Sequence, residues 1–436
     1  MTPVLDQTET RSFVPPVPDS IEVLGISPSA VEQLILKHLY FRGELLGREM
    51  AIQLGLQFSL IDALLENLKR QHHVGVKKSM GMGNASAVFA LTEAGRNLSR
   101  EILESNQYAG PVPVPLEQYA EVVRQQRLTE NWLSEDALSG AFKHLVVAED
   151  ILEQLGPAVN SNKSFLIYGQ PGNGKTALAE AFLHIETDPI YMPYAIECQG
   201  NIVQLYDPIY HKKIESEAAK SAMNEAEFDG RWFKCQRPFI ITGGELTLDM
   251  LDLSYNKVSK VYDAPFQLKA NNGIYLIDDF GRQRATPAEV LNRWIVPMER
   301  RVDYLTFQTG GKMTVPFEAF LIFSTNLRPD QLGDEAFLRR IQYKMFLRNP
   351  EAQEFIDIFN LYAATRGLDS PAGLAERFVQ KHYVDGSKRL RRCHPRDVIS
   401  HAVDVIHFKR LPMALTDTLL ERAFRSCFVE NADMND

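Results

Sequence analysis

An apolar run, Phe165-Leu166-Ile167-Tyr168, leads straight into Gly169-Gln170-Pro171-Gly172-Asn173-Gly174-Lys175-Thr176, and the helix-favouring Ala177-Leu178-Ala179-Glu180 follows without a break. No other stretch restricts the chain so tightly. Four consecutive apolar residues fit a strand buried on both faces, and a strand, a glycine-rich turn and a helix in that order belong to a parallel sheet. The spacing satisfies G-x-x-x-x-G-K-[ST], in which glycines let backbone N–H groups curl around phosphate oxygens. In that reading Lys175 neutralises the β- and γ-phosphates, Thr176 offers its hydroxyl to Mg²⁺, and the following helix aims its positive end at the same charge. Residues 169–177 are therefore the candidate nucleotide cradle.

Hydrolysis needs an acidic strand end as well. Ile274-Tyr275-Leu276-Ile277-Asp278-Asp279 supplies one: four apolar residues for a central strand, Asp278 to complete the Mg²⁺ shell, and Asp279 to polarise the attacking water.

Composition sets the outer limits. At 436 residues the chain exceeds one compact core and predicts two or three domains. Its 45% hydrophobic and 24% charged residues are ordinary for a globular protein, and a net charge of -9 argues against bulk attraction to nucleic acid. Cys198, Cys235, Cys393 and Cys427 are far apart with no C-x-x-C pair, which suggests neither a zinc knuckle nor a disulfide framework and fits a reducing cytoplasm. His72-His73 have no metal-ligand companions at useful spacing. No apolar stretch approaches the ~18 residues of a membrane span, and the acidic N-terminus lacks the basic and apolar regions of a signal peptide. The expectation is a cytoplasmic protein without membrane insertion.

Along the chain, residues 1–20 read as a flexible, proline-containing lead-in. Residues 21–108 show helical periodicity over 30–45, 47–54 and 59–73, with Gly55-Leu56-Gln57 as the turn between the last two. A hairpin over 74–78 and 87–91 with the tip Gly81-Met82-Gly83-Asn84 follows, then a helix over 92–103. This order resembles a winged helix. Gly110-Pro111-Val112-Pro113-Val114-Pro115 stiffens a connector over 109–120 and marks a boundary. Beyond it, 121–346 alternates strands with helices and predicts an α/β domain with a parallel sheet; 347–436 is helical again.

Three further segments follow in order: Phe320-Leu321-Ile322-Phe323-Ser324-Thr325-Asn326, the stretch from Asp334 through Arg339-Arg340-Ile341, and His394-Pro395-Arg396-Asp397. With them the chain resembles the AAA+ ATPase family over roughly residues 125 to 430. The resemblance implies a P-loop parallel sheet with a helical C-terminal lid, preceded here by the winged helix-turn-helix domain, and ATP with Mg²⁺ as ligands. It implies that Asn326 orients the lytic water, as sensor 1. Arg340, with Arg339 in reserve, fits the arginine finger that reaches the nucleotide of a neighbouring subunit. Arg396 fits sensor 2 and contacts the γ-phosphate. Many relatives carry glutamate where this chain has Asp279, one methylene shorter. A homo-oligomeric ring, by resemblance a hexamer, would couple ATP hydrolysis to remodelling of a protein substrate that the sequence does not name.

A hairpin over 302–307 and 313–316, turning at Gly310-Gly311, is similar to the pre-sensor-1 insertion of MoxR-type ATPases and of enhancer-binding activators. No Gly-Ala-Phe-Thr-Gly-Ala loop accompanies it, which argues against a polymerase-contacting activator. The basic run Lys388-Arg389-Leu390-Arg391-Arg392 reads as a solvated lid face with a subunit contact.

The winged helix raises the question of DNA. Burial of Leu60, Ile61, Leu64, Leu65 and Leu68 leaves Ser59, Asp62, Ala63, Glu66, Asn67 and Arg70 on the open face, so two carboxylates would meet phosphates. Over residues 30–108, nine Lys/Arg against eight Asp/Glu give only +1. A protein-binding or intersubunit role is favoured; a DNA-binding regulator and a nucleotide-dependent scaffold with negligible turnover stand as alternatives.

Overall fold

The computed structural model describes residues 13–79, 81–128, 132–215, 226–333, 335–386 and 388–428. The flexible lead-in expected over 1–20 falls outside the described residues for 1–12, as does Asp334 of the segment expected to carry the arginine finger. Residues 13–20 correct that expectation. Phe13 packs against a buried cluster, Pro15 and Pro18 are buried, and the Pro15 carbonyl accepts the Asp229 N–H at 3.1 Å.

Ser27 opens the first helix by accepting the Ala30 N–H, with Pro28 where no donor is needed. This helix, α1 (Pro28–Arg42), stops at Gly43 rather than running to 45, because Glu44–Leu46 pair as a short strand, β1. Then come α2 (Gly47–Leu54), α3 (Phe58–Arg70), β2 (Val74–Ser79), β3 (Ala87–Leu91) and α4 (Glu93–Ser105). The strands form one antiparallel sheet in the order β1-β3-β2. The α3 stripe of five aliphatic residues named above is buried as its period predicts. Its other face is partly covered: Asn84, at the hairpin tip, donates to Asp62 at 2.8 Å and to Glu66 at 2.6 Å.

The proline segment is packed in. Val112 and Val114 are buried, the Val112 N–H donates to the Leu54 carbonyl, and β4 (Val114–Pro115) becomes a sheet edge. Next along the chain are α5 (Leu116–Gln125), α6 (Glu135–Phe142), α7 (Glu149–Asn160), β5 (Phe165–Tyr168) and α8 (Lys175–Glu180). Instead of returning directly to the sheet, the chain then forms β6 (Ile190–Pro193), β7 (Ala195–Cys198), β8 (Asn201–Gln204) and β9 (Trp232–Cys235) before β10 (Phe239–Thr242). After it lie β11 (Ser254–Asn256), β12 (Val261–Asp263), α9 (Phe266–Lys269) and β13 (Ile274–Ile277). The order β11-β12-β8-β7-β4 makes a second five-stranded sheet, which the alternating strand-helix reading did not anticipate. Its inner residues share cores with both neighbours: Ala195 and Val261 pack into the N-terminal cluster, while Ile196, Val203 and Tyr262 pack with α5.

The remaining elements are α10 (Pro287–Arg293), α11 (Ile295–Arg300), β14 (Val302–Thr306), β15 (Lys312–Pro316), β16 (Phe320–Thr325), α12 (Glu335–Leu338), β17 (Tyr343–Phe346), α13 (Ala352–Thr365), α14 (Leu374–Val379), α15 (His394–Lys409) and α16 (Asp417–Cys427). The expected hairpin is β14–β15, its inner side chains Leu305, Phe307, Met313 and Val315 buried against the second sheet. Buried Asp303 on it is held by Arg293 at 2.6 Å.

The main sheet is parallel throughout, in the order β10-β13-β16-β5-β17. Alternation along each strand serves two cores: Phe165, Ile167, Leu276 and Ile322 face α6, α7 and α8, while Leu166, Tyr275, Ile277 and Phe323 face α10 and Trp294. Full burial of each such side chain stabilises by about 1.5–3 kcal/mol. The chain enters the sheet at β5, runs to the far edge at β10, works back through β13 and β16, and adds β17 on the other side of β5. Such a reversal opens a crevice beyond the strands' carboxyl ends. Helices α13 to α16 form a separate helical cluster beside that crevice.

Candidate functional site

Register decides what meets at the crevice. Thr325 lies opposite Tyr168, so Gly169 and Asn326 leave neighbouring strands side by side, and Ile277 lies opposite Phe323, so Asp278 leaves the next strand level with Ser324. Gly169 also passes the end of β17 so closely that a Cβ there would sit 2.4 Å from the Leu347 carbonyl. Gly172 and Gly174, at φ +80° and +84°, take left-handed conformations that side chains disfavour.

Lys175 lies at the first turn of α8, only 6% exposed. Its ammonium donates to the Gly169 and Gln170 carbonyls at 3.2 Å each and to Asn326 Oδ1 at 2.6 Å. The same amide donates through Nδ2 to Asp279 Oδ1 at 2.9 Å, the orientation that an ammonium on one side and a carboxylate on the other require. Burial pushes the Lys175 ammonium below its ordinary pKa, helped by the Arg391 charge, while Asp279 and Asp278 pull the other way. Thr176 Oγ1 donates to Asp278 Oδ2 at 2.8 Å, and Asp278 Oδ1 accepts the Asp279 N–H at 3.0 Å. Asp279 itself sits at φ +48°, a conformation costing of order 1 kcal/mol for a non-glycine residue.

These groups border a cavity of about 610 Å³. Pro171, Gly172, Asn173, Gly174, Lys175, Thr176, Ala177, Asp278, Asp279 and Asn326 line it, and the helical cluster closes it with Leu361, Tyr362 and Thr365 of α13 and with Arg396 at the start of α15. Gly169 and Gln170 take part through their carbonyls alone. Arg396 is largely exposed and pairs with Asp397 at 3.2 Å. Residues 144–147 line the cavity as well.

The two candidate finger arginines are not among the cavity residues of their own chain. Arg339 pairs with Glu335 at 2.7 Å on an exposed turn, and Arg340 Nε donates to Glu299 Oε1 at 2.7 Å.

The basic run departs from its expected solvated role. Arg391 donates to the Pro171 carbonyl, and the Cys393 N–H donates to the Gly172 carbonyl at 2.9 Å. Arg392, 10% exposed, donates to the Val146 carbonyl and to Glu354 at 3.0 Å each. Adjacency to His394-Pro395-Arg396 was the available sequence signal for these residues. Nothing comparable marks Tyr362 or Thr365, which sit on an ordinary amphipathic helix.

The donor set fits a hard cation: a threonine hydroxyl and a carboxylate, adjacent and oxygen-only, match the preferences of Mg²⁺. Among the described residues no group of three or more His, Cys, Asp and Glu is arranged to hold a metal by side chains alone, and no helix is long and apolar enough to cross a membrane.

Comparison with known proteins adds a partial likeness. Residues 351–426 match a family described as a domain of unknown function, DUF8689. No curated protein matches. Among solved structures, NtrX from Brucella abortus aligns at 11% identity and a TM-score of 0.40, over 65% of this chain and 57% of that one. A second NtrX structure, in complex with ATP, aligns at 12% and 0.37, over 75% and 60%. RuvB of Thermotoga maritima, a Holliday junction branch migration motor, aligns at 14% and 0.36, over 64% and 69%. The chain thus spans under two thirds of the NtrX structures, and scores below 0.5 assign no function.

Proposed function

We propose that the protein is an AAA+ ATPase that binds ATP in the cavity at the carboxyl end of the main sheet and hydrolyses it. The observation that carries this reading is the unbroken chain Lys175–Asn326–Asp279, set beside the Thr176–Asp278 pair. Three separate strand ends supply a phosphate cation, a polar bridge, a base and an oxygen pair for a metal, all on one 610 Å³ cavity. A structural ion pair would need none of the rest.

In the proposed mechanism the loop N–H groups and Lys175 bind the phosphates, and Lys175 exchanges its carbonyl partners for phosphate oxygens. Thr176 and Asp278 would hold Mg²⁺, which would supply charge neutralisation to the phosphates. Asp279 orients a water and accepts its proton, while Asn326 fixes the carboxylate through the 2.9 Å hydrogen bond. Arg396, already on the cavity wall, contacts the γ-phosphate from the lid. Arg340 acts on the next subunit's nucleotide, exchanging Glu299 for phosphate, and that role places the chain in a homo-oligomeric ring, taken as a hexamer.

We read the N-terminal unit as a winged helix that recruits the protein to be remodelled. The Asn84 clasp on Asp62 and Glu66 supports protein over DNA, since it occupies the face a recognition helix would offer to a groove and leaves acidic groups there. Titration calorimetry with ATP and Mg²⁺ tests the site: the wild type binds, and Lys175→Ala weakens binding by about 100-fold or more, the scale of a charged partner lost from a phosphate. Equal binding by both proteins would exclude this cavity as the nucleotide site.

A further inference from the structure

A phosphate cradle works only if its peptide planes are turned the right way. In a trans peptide the carbonyl of one residue and the N–H of the next point in opposite directions, so whatever holds a loop carbonyl also aims the following N–H. In this loop four successive carbonyls are held. Gly169 and Gln170 offer theirs to Lys175 from within the loop, but Pro171 and Gly172 offer theirs to the lid, to the Arg391 guanidinium and to the Cys393 N–H. The lid strap thereby aims the N–H groups of Gly172 and Asn173 away from itself, at the tip of a loop that lines the cavity.

The approach is close and specific. A Cβ at Gly172 would lie 2.6 Å from Cys393 Sγ, so only glycine admits the strap. Arg392 pins the same strap to the cavity lining at Val146 and to Glu354 on α13. Glu354 in turn pairs with Arg348 at 2.7 Å, just after β17. Its carboxyl stays below the usual range although burial pushes it up, because the Glu351 N–H and the two arginines outweigh burial.

We propose that Arg391 is a positioning residue for the phosphate loop: it holds the Pro171 carbonyl so that the anion-binding N–H groups are pre-aimed, and thereby links lid docking to phosphate affinity. Arg391 need not touch the nucleotide. Because the linkage is reciprocal, a bound phosphate also holds the lid down. This inference rests on the nucleotide reading of the cavity, and its test separates the two.

The test compares ADP with adenosine on the full chain by calorimetry. Arg391→Ala is expected to weaken ADP by about tenfold, the effect of one charge-assisted hydrogen bond, while leaving adenosine affinity within about twofold. Arg391→Lys, which keeps a donor, restores part of the ADP affinity. Should Arg391→Ala fold poorly, Arg391→Met, which keeps the stem and removes every donor, carries the same comparison. Equal weakening of ADP and adenosine would mean general loosening of the lid and would overturn the proposal, as would unchanged ADP affinity in a variant whose wild-type parent binds ADP. Failure of the wild type to bind ADP would overturn the nucleotide reading and this inference together.

Discussion

Two lysines in this molecule are buried to a similar degree and do opposite things. Lys175, 6% exposed, sits at the crevice with three oxygen acceptors and two aspartates near it. Lys37, 2% exposed on α1, has the Asn106 Oδ1 at 2.6 Å as its hydrogen-bond partner, and burial pulls its pKa down to about 8. Placing an ammonium in a protein interior is costly unless partners compensate. At the crevice the compensation comes from groups that a phosphate can replace, beside an open cavity. In the N-terminal unit it comes from one amide inside a packed core. Burial of a charge is therefore not by itself the mark of a site; exchangeable partners next to accessible space are.

If that contrast is right, the sheet end should answer to mutation in turnover and the N-terminal unit in stability. The largest expected effect is at Arg340. Arg340→Ala should cut ATP turnover by about 10³ to 10⁵ while sparing nucleotide binding, and mixing it with Asp279→Asn should restore part of the activity through mixed interfaces. Mixtures no more active than the separate variants would remove Arg340 from the trans position and leave the Glu299 pair as its role. A smaller loss is expected at the bridge. Asn326→Ala removes the amide that holds Asp279 while Lys175 keeps the Gly169 and Gln170 carbonyls, and kcat should fall by about 10 to 100-fold with KM for ATP nearly unchanged, the pattern of a group that positions the base. A rise in KM alone would assign Asn326 to ground-state binding.

The smallest effect lies on the other side of the comparison and has the opposite sign. Lys37→Met should raise stability by about 1–2 kcal/mol at pH 7, a figure reduced for residual solvent screening. The pH dependence follows from the direction of the shift. The folded pKa of about 8 lies below the ordinary 10.5, so between those values the unfolded chain binds the proton more strongly. The wild type therefore gains stability as pH rises from about 8 to 10.5 and carries the full penalty below about 8, whereas Lys37→Met lacks that slope. Denaturant melts at pH 7 and pH 9.5 check it; a destabilised variant would show that the Asn106 bond outweighs desolvation.

The same contrast explains what could be read from the sequence. The strand before Gly169 and the Asp278-Asp279 pair were legible because their pattern is local: a short apolar run followed at once by the residues that come to line the cavity. Asn326 was legible for the same reason, lying one residue past β16. The second sheet was not, since strands of two to four residues such as Val114–Pro115 and Ala195–Cys198 carry too few alternations to set a period. Glu44–Leu46 looked like the end of α1 because its leucines continue the helical stripe, and only pairing with β3 made it a strand. Arg391 and Cys393 read as solvated charge and an isolated thiol because their partners, Pro171 and Gly172, lie more than two hundred residues earlier. The Asn84 clasp on Asp62 and Glu66 is another contact that spacing alone does not encode.

The central claim, that Asp279 beside Lys175 and Asn326 makes this crevice an ATP-hydrolysing site, is tested most directly by measuring ATP affinity and phosphate release side by side in the wild type and in Asp279→Asn. The account predicts that the wild type turns over ATP, and that Asp279→Asn binds ATP within about threefold of wild type while releasing phosphate about 100-fold more slowly, since the change removes a base and leaves the phosphate cradle in place. Phosphate release by Asp279→Asn at the wild-type rate would contradict it.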